Sequence, residues 1–235
     1  MLASGSEAIA IDASLDPSIY VDMITARGWT LRHVIDTHVH ADHVSRSRAL
    51  AEQAGATLWL PDQRRTQFPY QPLRDGSRLL FGTSILSAMS TPGHTLESTC
   101  YLVDDLWLLT GDTLFLSGVG RPDLEASADE ARIRAGLLHA SLERLMALSP
   151  NVLVLPAHTS SPVAFDDKLI TATLGAVRDA VRLPADRAEF VEYVLGRIPP
   201  TPPNHRVIVG LNESGELPAG DPTDLEAGAN RCAVS

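Results

Sequence analysis

Three histidines and an aspartate fall within the six residues His38-Val39-His40-Ala41-Asp42-His43, directly after the apolar run Val34-Ile35. No other stretch restricts so sharply what the chain can become. In an extended segment side chains two apart point the same way, so His38, His40 and Asp42 are expected to converge, with His43 turning back from the other side. A polar surface turn gains nothing from crowded imidazoles, whereas a metal ion does. Neutral imidazole and carboxylate together suit zinc, iron or manganese.

Three later turns repeat the chemistry. His94 stands in Thr91-Pro92-Gly93-His94-Thr95, after an apolar run ending at Met89. Asp112 stands in Thr110-Gly111-Asp112-Thr113, after Leu106 to Leu109, and His158 follows Val152 to Leu155 through Pro156-Ala157. Each metal-type side chain thus ends an expected strand, where α/β folds gather their ligands. Gly93 and Gly111 permit the sharp turns. His33, His139 and His205 fall inside other elements or beside a proline cluster and are expected to be structural or solvated.

Periodicity and turn residues predict strands at Glu7 to Asp12, Leu31 to Ile35, Thr57 to Leu60, Arg78 to Phe81, Ile85 to Met89, Thr99 to Val103, Leu106 to Leu109 and Val152 to Leu155. Asp104-Asp105 makes a hairpin, and Pro69 to Gly76 reads as loop. Only Met1 to Ala3 precede the turn Ser4-Gly5-Ser6, so a strand pairing with Glu7 to Asp12 is expected to be missing, leaving an exposed edge. Helices are expected from Asp16-Pro17 to Gly28, Ser45 to Ala54 and Arg132 to Leu148. Beyond Ser161 helices are expected near Lys168 to Val181, Ala188 to Leu195 and His205 to Leu211, with a proline spacer between the last two and a loosely packed tail from Gly215. The order gives an α/β core over residues 1–162 and a C-terminal helical extension with a loose tail over 163–235.

The net charge of −10 argues against a broad nucleic-acid surface. No apolar run is long enough for a membrane span and no secretory leader is visible, so a cytoplasmic location is expected. Cys100 and Cys232, far apart in sequence, read as unpaired thiols of a reducing compartment.

HxHxDH followed by PGH, GD and PAH turns, in that order, resembles the metallo-β-lactamase superfamily over nearly the whole chain. The resemblance implies an αββα sandwich with a metal site along one edge of two packed sheets. It places His38, His40 and His94 at a first metal position and Asp42, His43 and His158 at a second, with Asp112 able to bridge. The segment Gly111 to Phe115 through Gly118-Val119-Gly120-Arg121-Pro122-Asp123-Leu124 resembles the persulfide dioxygenases, and the related glyoxalase II thioesterases share only its start.

The dioxygenase branch implies one Fe(II) on His38, His94 and Asp112, a low-molecular-weight persulfide such as glutathione persulfide, and O2, giving sulfite and thiol. His40, Asp42, His43 and His158 then stand behind the ligands. The thioesterase branch implies two zinc ions, or a mixed iron, zinc or manganese pair, on all seven residues, with metal-activated water attacking a glutathione thioester. Asp42 is then a ligand and takes part in the reaction. Arg121 is a second catalytic candidate, its guanidinium set against a carboxylate or an anionic substrate; a loop ion pair with Asp123 or Glu125 is the alternative. Arg46 and Arg48 are placed to meet a substrate tail or to form a solvated helix face. A separate rhodanese-type sulfurtransferase and a homo-oligomer are the partners left open.

Overall fold

The structure, a computed structural model, describes residues 1–235 apart from 160–162, 165, 167, 221, 227–231 and 235. It opens on a strand, Leu2–Ser4 (β1), which pairs antiparallel with Glu7–Ile11 (β2). The missing first strand expected from the sequence is therefore corrected. Gly5 takes a left-handed φ of 60°, so a turn that costs other residues strain closes the hairpin at once.

Asp16 then caps Pro17–Arg27 (α1) by accepting from the Ser18 N–H, and Gly28 ends it in the left-handed region. Next come Thr30–Ile35 (β3), Ser47–Ala54 (α2), Thr57–Pro61 (β4) and Gln71–Leu73 (β5). Strands β2 to β5 run parallel, and the sheet order is β1-β2-β3-β4-β5. The last strand replaces part of the expected loop; Pro72 is tolerated because β5 is an edge. Arg78–Phe81 (β6) and Ser84–Ser90 (β7) form an antiparallel hairpin. Ala8 and Ala10 of β2 and Val34 of β3 share a core with Ile24 of α1 and with Leu50 and Ala51 of α2.

Thr99–Val103 (β8) and Trp107–Leu109 (β9) pair antiparallel around Asp104 and Asp105, whose φ values of 52° and 54° make the tight hairpin the sequence announced. Val119–Gly120 (β10) precedes Ala128–Met146 (α3), which starts earlier than its apolar periodicity indicates. A reciprocal capping box between Ser127 and Glu130 sets that start. Leu153–Leu155 (β11) pairs parallel with β9, and Ala172–Thr173 (β12) pairs antiparallel with β11. Thr173 caps Leu174–Val181 (α4), so part of the helix expected from Lys168 is strand instead. Arg187–Leu195 (α5) packs against α3, with Leu138, Leu142, Phe190 and Val194 in one apolar cluster.

His205–Ser214 (α6) and Thr223–Glu226 (α7) follow the proline cluster. The tail is not loose throughout, because Ala233–Val234 (β13) pairs with β10 and Cys232 is buried. The chain divides into two compact units, Met1–Ala88 with Pro202–Ala229, and Met89–Thr201 with Asn230–Ser235. Among the described residues no helix is long and apolar enough to cross a membrane.

Candidate metal centre

In the first unit the donors lie on an irregular loop that leaves β3 at Ile35, so strand alternation does not decide where they point. His38 and His40 are buried, their ring centroids 4.3 Å apart, and the His43 ring lies 4.1 Å from that of His40. The Nδ1 atom of His43 is 3.3 Å from Asp42 Oδ2, and Nδ1 of His40 is 3.9 Å from Asp42 Oδ1. His40, Asp42 and His43 each offer a ligand atom within 4.8 Å of the others. His43 Nε2 is buried with no hydrogen-bond partner among the described residues, as suits a donor awaiting a cation.

Asp12, which sequence reasoning did not single out, organises this loop. Its Oδ1 accepts the Thr37 N–H at 2.7 Å and lies 3.1 Å from His40 Nε2, while Oδ2 accepts the Thr37 hydroxyl at 3.0 Å. With the Thr37 proton spent on Asp12, Oγ1 accepts from His38 Nδ1 at 2.8 Å. In the neutral, ligand-competent form the two rings take opposite tautomers, His38 turning its Nε2 lone pair to a ligand and His40 its Nδ1. Burial disfavours a charged His40, yet Asp12, Asp36 and Asp42 together hold its pKa up to about 10. Burial pushes the Asp36 carboxyl above its usual range, and that group accepts from the hydroxyls of Ser45 and Ser47. These contacts delay α2, which begins at Ser47 where Ser45 was expected.

The signal for Asp12 was present in the sequence. It directly follows the last residue of β2, as other donors follow their strands, but stands alone and too far upstream to join a motif. Arg46 departs from the solvated helix face: it is buried, and its guanidinium meets Glu226 at 2.5 Å and the Val44 carbonyl. Arg48 pairs with Glu52 and lies over the Phe68 ring.

The second unit mounts its donors on the ends of strands, as the sequence indicated. His94 follows β7 through Gly93, where an added Cβ would stand 2.6 Å from the Leu138 Cα. Asp112 follows β9 through Gly111, with φ 46°, and His158 follows β11. Asp112 turns Oδ2 toward His94 Nε2 at 3.5 Å and Oδ1 toward His158 Nε2 at 3.1 Å. Each carboxylate oxygen thus faces a different imidazole.

Residue 121 meets these donors through its backbone: the Arg121 carbonyl accepts from His94 Nδ1 at 2.7 Å, which leaves the lone pair of that ring on Nε2. The Arg121 side chain is fully buried and binds Asp123 through two hydrogen bonds of 2.7 Å and the Pro200 carbonyl at 3.2 Å. Of the two roles open to it, the structure displays the loop ion pair. His33 binds the Leu80 carbonyl, His139 that of Ala185 and His205 that of Pro202, all structural contacts.

A family model described as the metallo-β-lactamase superfamily matches residues 1–158. A hydroxyacylglutathione hydrolase of Rhizobium johnstonii is 36% identical over 152 residues, which are 63% of this chain and 56% of that protein. The chain thus matches a little over half the length of such curated relatives. The crystal structure of ETHE1 from Myxococcus xanthus superposes with a TM-score of 0.77 at 28% identity, covering 91% of this chain and 92% of that one. A metallo-β-lactamase structure from Staphylococcus aureus subsp. aureus COL gives 0.80 at 26% identity, covering 90% and 67%.

Proposed function

The chain belongs to the metallo-β-lactamase superfamily and carries its fold, and from that premise we propose that it is a metal-dependent hydrolase of a glutathione thioester. The observation that carries the proposal is Asp112, whose two oxygens face two different histidines, as a carboxylate spanning two metal positions requires. Asp42 and His43, whose ligand atoms cluster with that of His40, add donors for a second ion. The imidazole and carboxylate donors suit zinc, iron or manganese; by the family resemblance, His38, His40 and His94 would hold one ion and Asp42, His43 and His158 the other, with Asp112 shared. Bound there, the ions supply Lewis-acid activation of water and of the thioester carbonyl. The protein's own part is orientation: Asp12 fixes the tautomers of His38 and His40, and the Arg121 carbonyl fixes that of His94. Curated relatives named for hydrolysis of hydroxyacylglutathione support this choice of substrate.

A second reading, the Fe(II)-dependent persulfide dioxygenase that the Gly118 to Leu124 segment placed first, rests on its own observation. The ETHE1 structure superposes on this chain over 92% of its length, at 28% identity. On that reading His38, His94 and Asp112 hold one iron, and O2 is a second substrate. Protein purified without added metal separates the two. Two ions per chain with turnover of S-lactoylglutathione are expected. One iron per chain with O2 uptake on glutathione persulfide, and no thioester turnover, would replace hydrolysis with dioxygenation.

A further inference from the structure

Residues 38–46 form neither helix nor strand, so their backbone N–H and C=O groups must find partners elsewhere. Several find them on one side chain. Asn212, buried on α6, donates through Nδ2 to the carbonyls of His40 and His43, both at 2.9 Å, and accepts the Ser45 N–H on Oδ1 at 2.7 Å. A carboxamide has two N–H donors and one carbonyl, and this loop presents two acceptors and one donor. An aspartate would aim oxygen at two carbonyls, a serine could not meet all three groups, and a glutamine is one methylene too long. Asparagine is also an indifferent helix former, so α6 gains little from it. The two carbonyls it grips bracket Asp42, and holding them sets His40, Asp42 and His43 relative to one another.

We propose that Asn212 is a positioning residue for the metal donors on this loop, His40, Asp42 and His43. The inference rests on the reading of those residues as donors. It extends that reading to α6, on which none of the proposed donors lies.

The test uses the full chain and cobalt(II). Affinity is read by chelator competition, geometry by the visible absorption of the bound ion, and stability by the melting temperature of the metal-free protein. Asn212→Asp is expected to weaken cobalt binding tenfold to a hundredfold, the range for groups that orient ligands, and to change the visible band. Glu213→Gln is the matched control, because Glu213 ties the same helix to Arg65; it should leave affinity and band unchanged. If Asn212→Asp does not fold, Asn212→Gln carries the same expectation with a smaller loss. Lower melting temperature with wild-type cobalt affinity and spectrum would overturn the positioning role while leaving the metal centre intact. A wild-type protein that takes up no cobalt would instead defeat the reading of the donors, and the inference with it.

Discussion

The loop from His38 to Arg46 and the three turns at His94, Asp112 and His158 carry the same kinds of donor on different supports. The loop has no regular structure; its backbone and rings are held by side chains of Asp12, Thr37, Asn212 and Glu226. The turns each leave a strand, are shaped by Gly93 and Gly111, and receive a backbone carbonyl at His94. One set of donors is therefore placed by charge and hydrogen bonding across long sequence separations, the other by sheet geometry and close packing. Substitutions should sort accordingly, into losses of metal affinity for the loop and losses of fold for the turns.

The harshest test falls on the turns. A Cβ added at Gly120 would lie 1.8 Å from the Asp112 carbonyl oxygen and 3.0 Å from the His94 Cβ. Backbone cannot yield as a flexible side-chain tip can, so Gly120→Ala should cost more than about 4 kcal/mol, among the largest single-residue effects. Urea unfolding followed by circular dichroism measures it. A midpoint close to wild type would show that the turns are not set by close packing. Arg121→Ala comes next, at about 3–5 kcal/mol for breaking a buried pair. Asp123 is 22% exposed and can recover some water, which favours the lower end.

For the loop, Asp12→Asn should leave a folded protein that binds metal about tenfold to a hundredfold more weakly, since an amide has one acceptor oxygen where the carboxylate uses both to fix the two rings. Isothermal titration with zinc reads this directly. The same contact predicts a pH effect on the metal-free protein. The His40 pKa is raised from 6.5 to about 10 on folding, so its protonated form stabilises the fold fully below pH 6.5, and that stability is lost as pH rises toward 10. The melting temperature should fall across that window, and Asp12→Asn should flatten the fall. A wild-type melting temperature that rises between those limits would contradict the charge balance assigned to His40.

The difference between the two supports also explains what could be read from the sequence. Donors that end strands leave a local signature, an apolar run followed by a turn residue and a metal-type side chain. His94, Asp112 and His158 were legible for that reason, and so were β8, β9 and their Asp104-Asp105 hairpin. Partners recruited from far along the chain leave none. Nothing in the local sequence of Asn212 or Glu226 announces that they hold residues 40–46, because most of the groups they hold are backbone N–H and C=O, which carry no residue identity, and Arg46 lies 180 residues from Glu226. Short pairings fail for a related reason: β1, β5, β12 and β13 span two or three residues each, too few for periodicity to register. The helix α3 starts ahead of its apolar spacing because the Ser127 to Glu130 capping box, not periodicity, sets its first turn.

The smallest effect offers the finest test of whether charge, beyond hydrogen bonding as such, holds the loop. Glu226 accepts the Val44 N–H at 2.8 Å and meets the Arg46 guanidinium at 2.5 Å through the same oxygen, Oε1. Glu226→Gln keeps an oxygen for Val44 and removes only the charge facing Arg46. The Arg46 side chain is 11% exposed, so water can replace little of what it loses. Because Glu226 is itself 22% exposed, screening tempers the pair, and about 1 kcal/mol is the expected cost in urea unfolding. The gap between variant and wild type should narrow only slightly in high salt, since partly buried pairs are weakly screened. A variant as stable as wild type would mean that hydrogen bonds alone hold the loop, and the contrast with the turns would then lie in packing and not in charge.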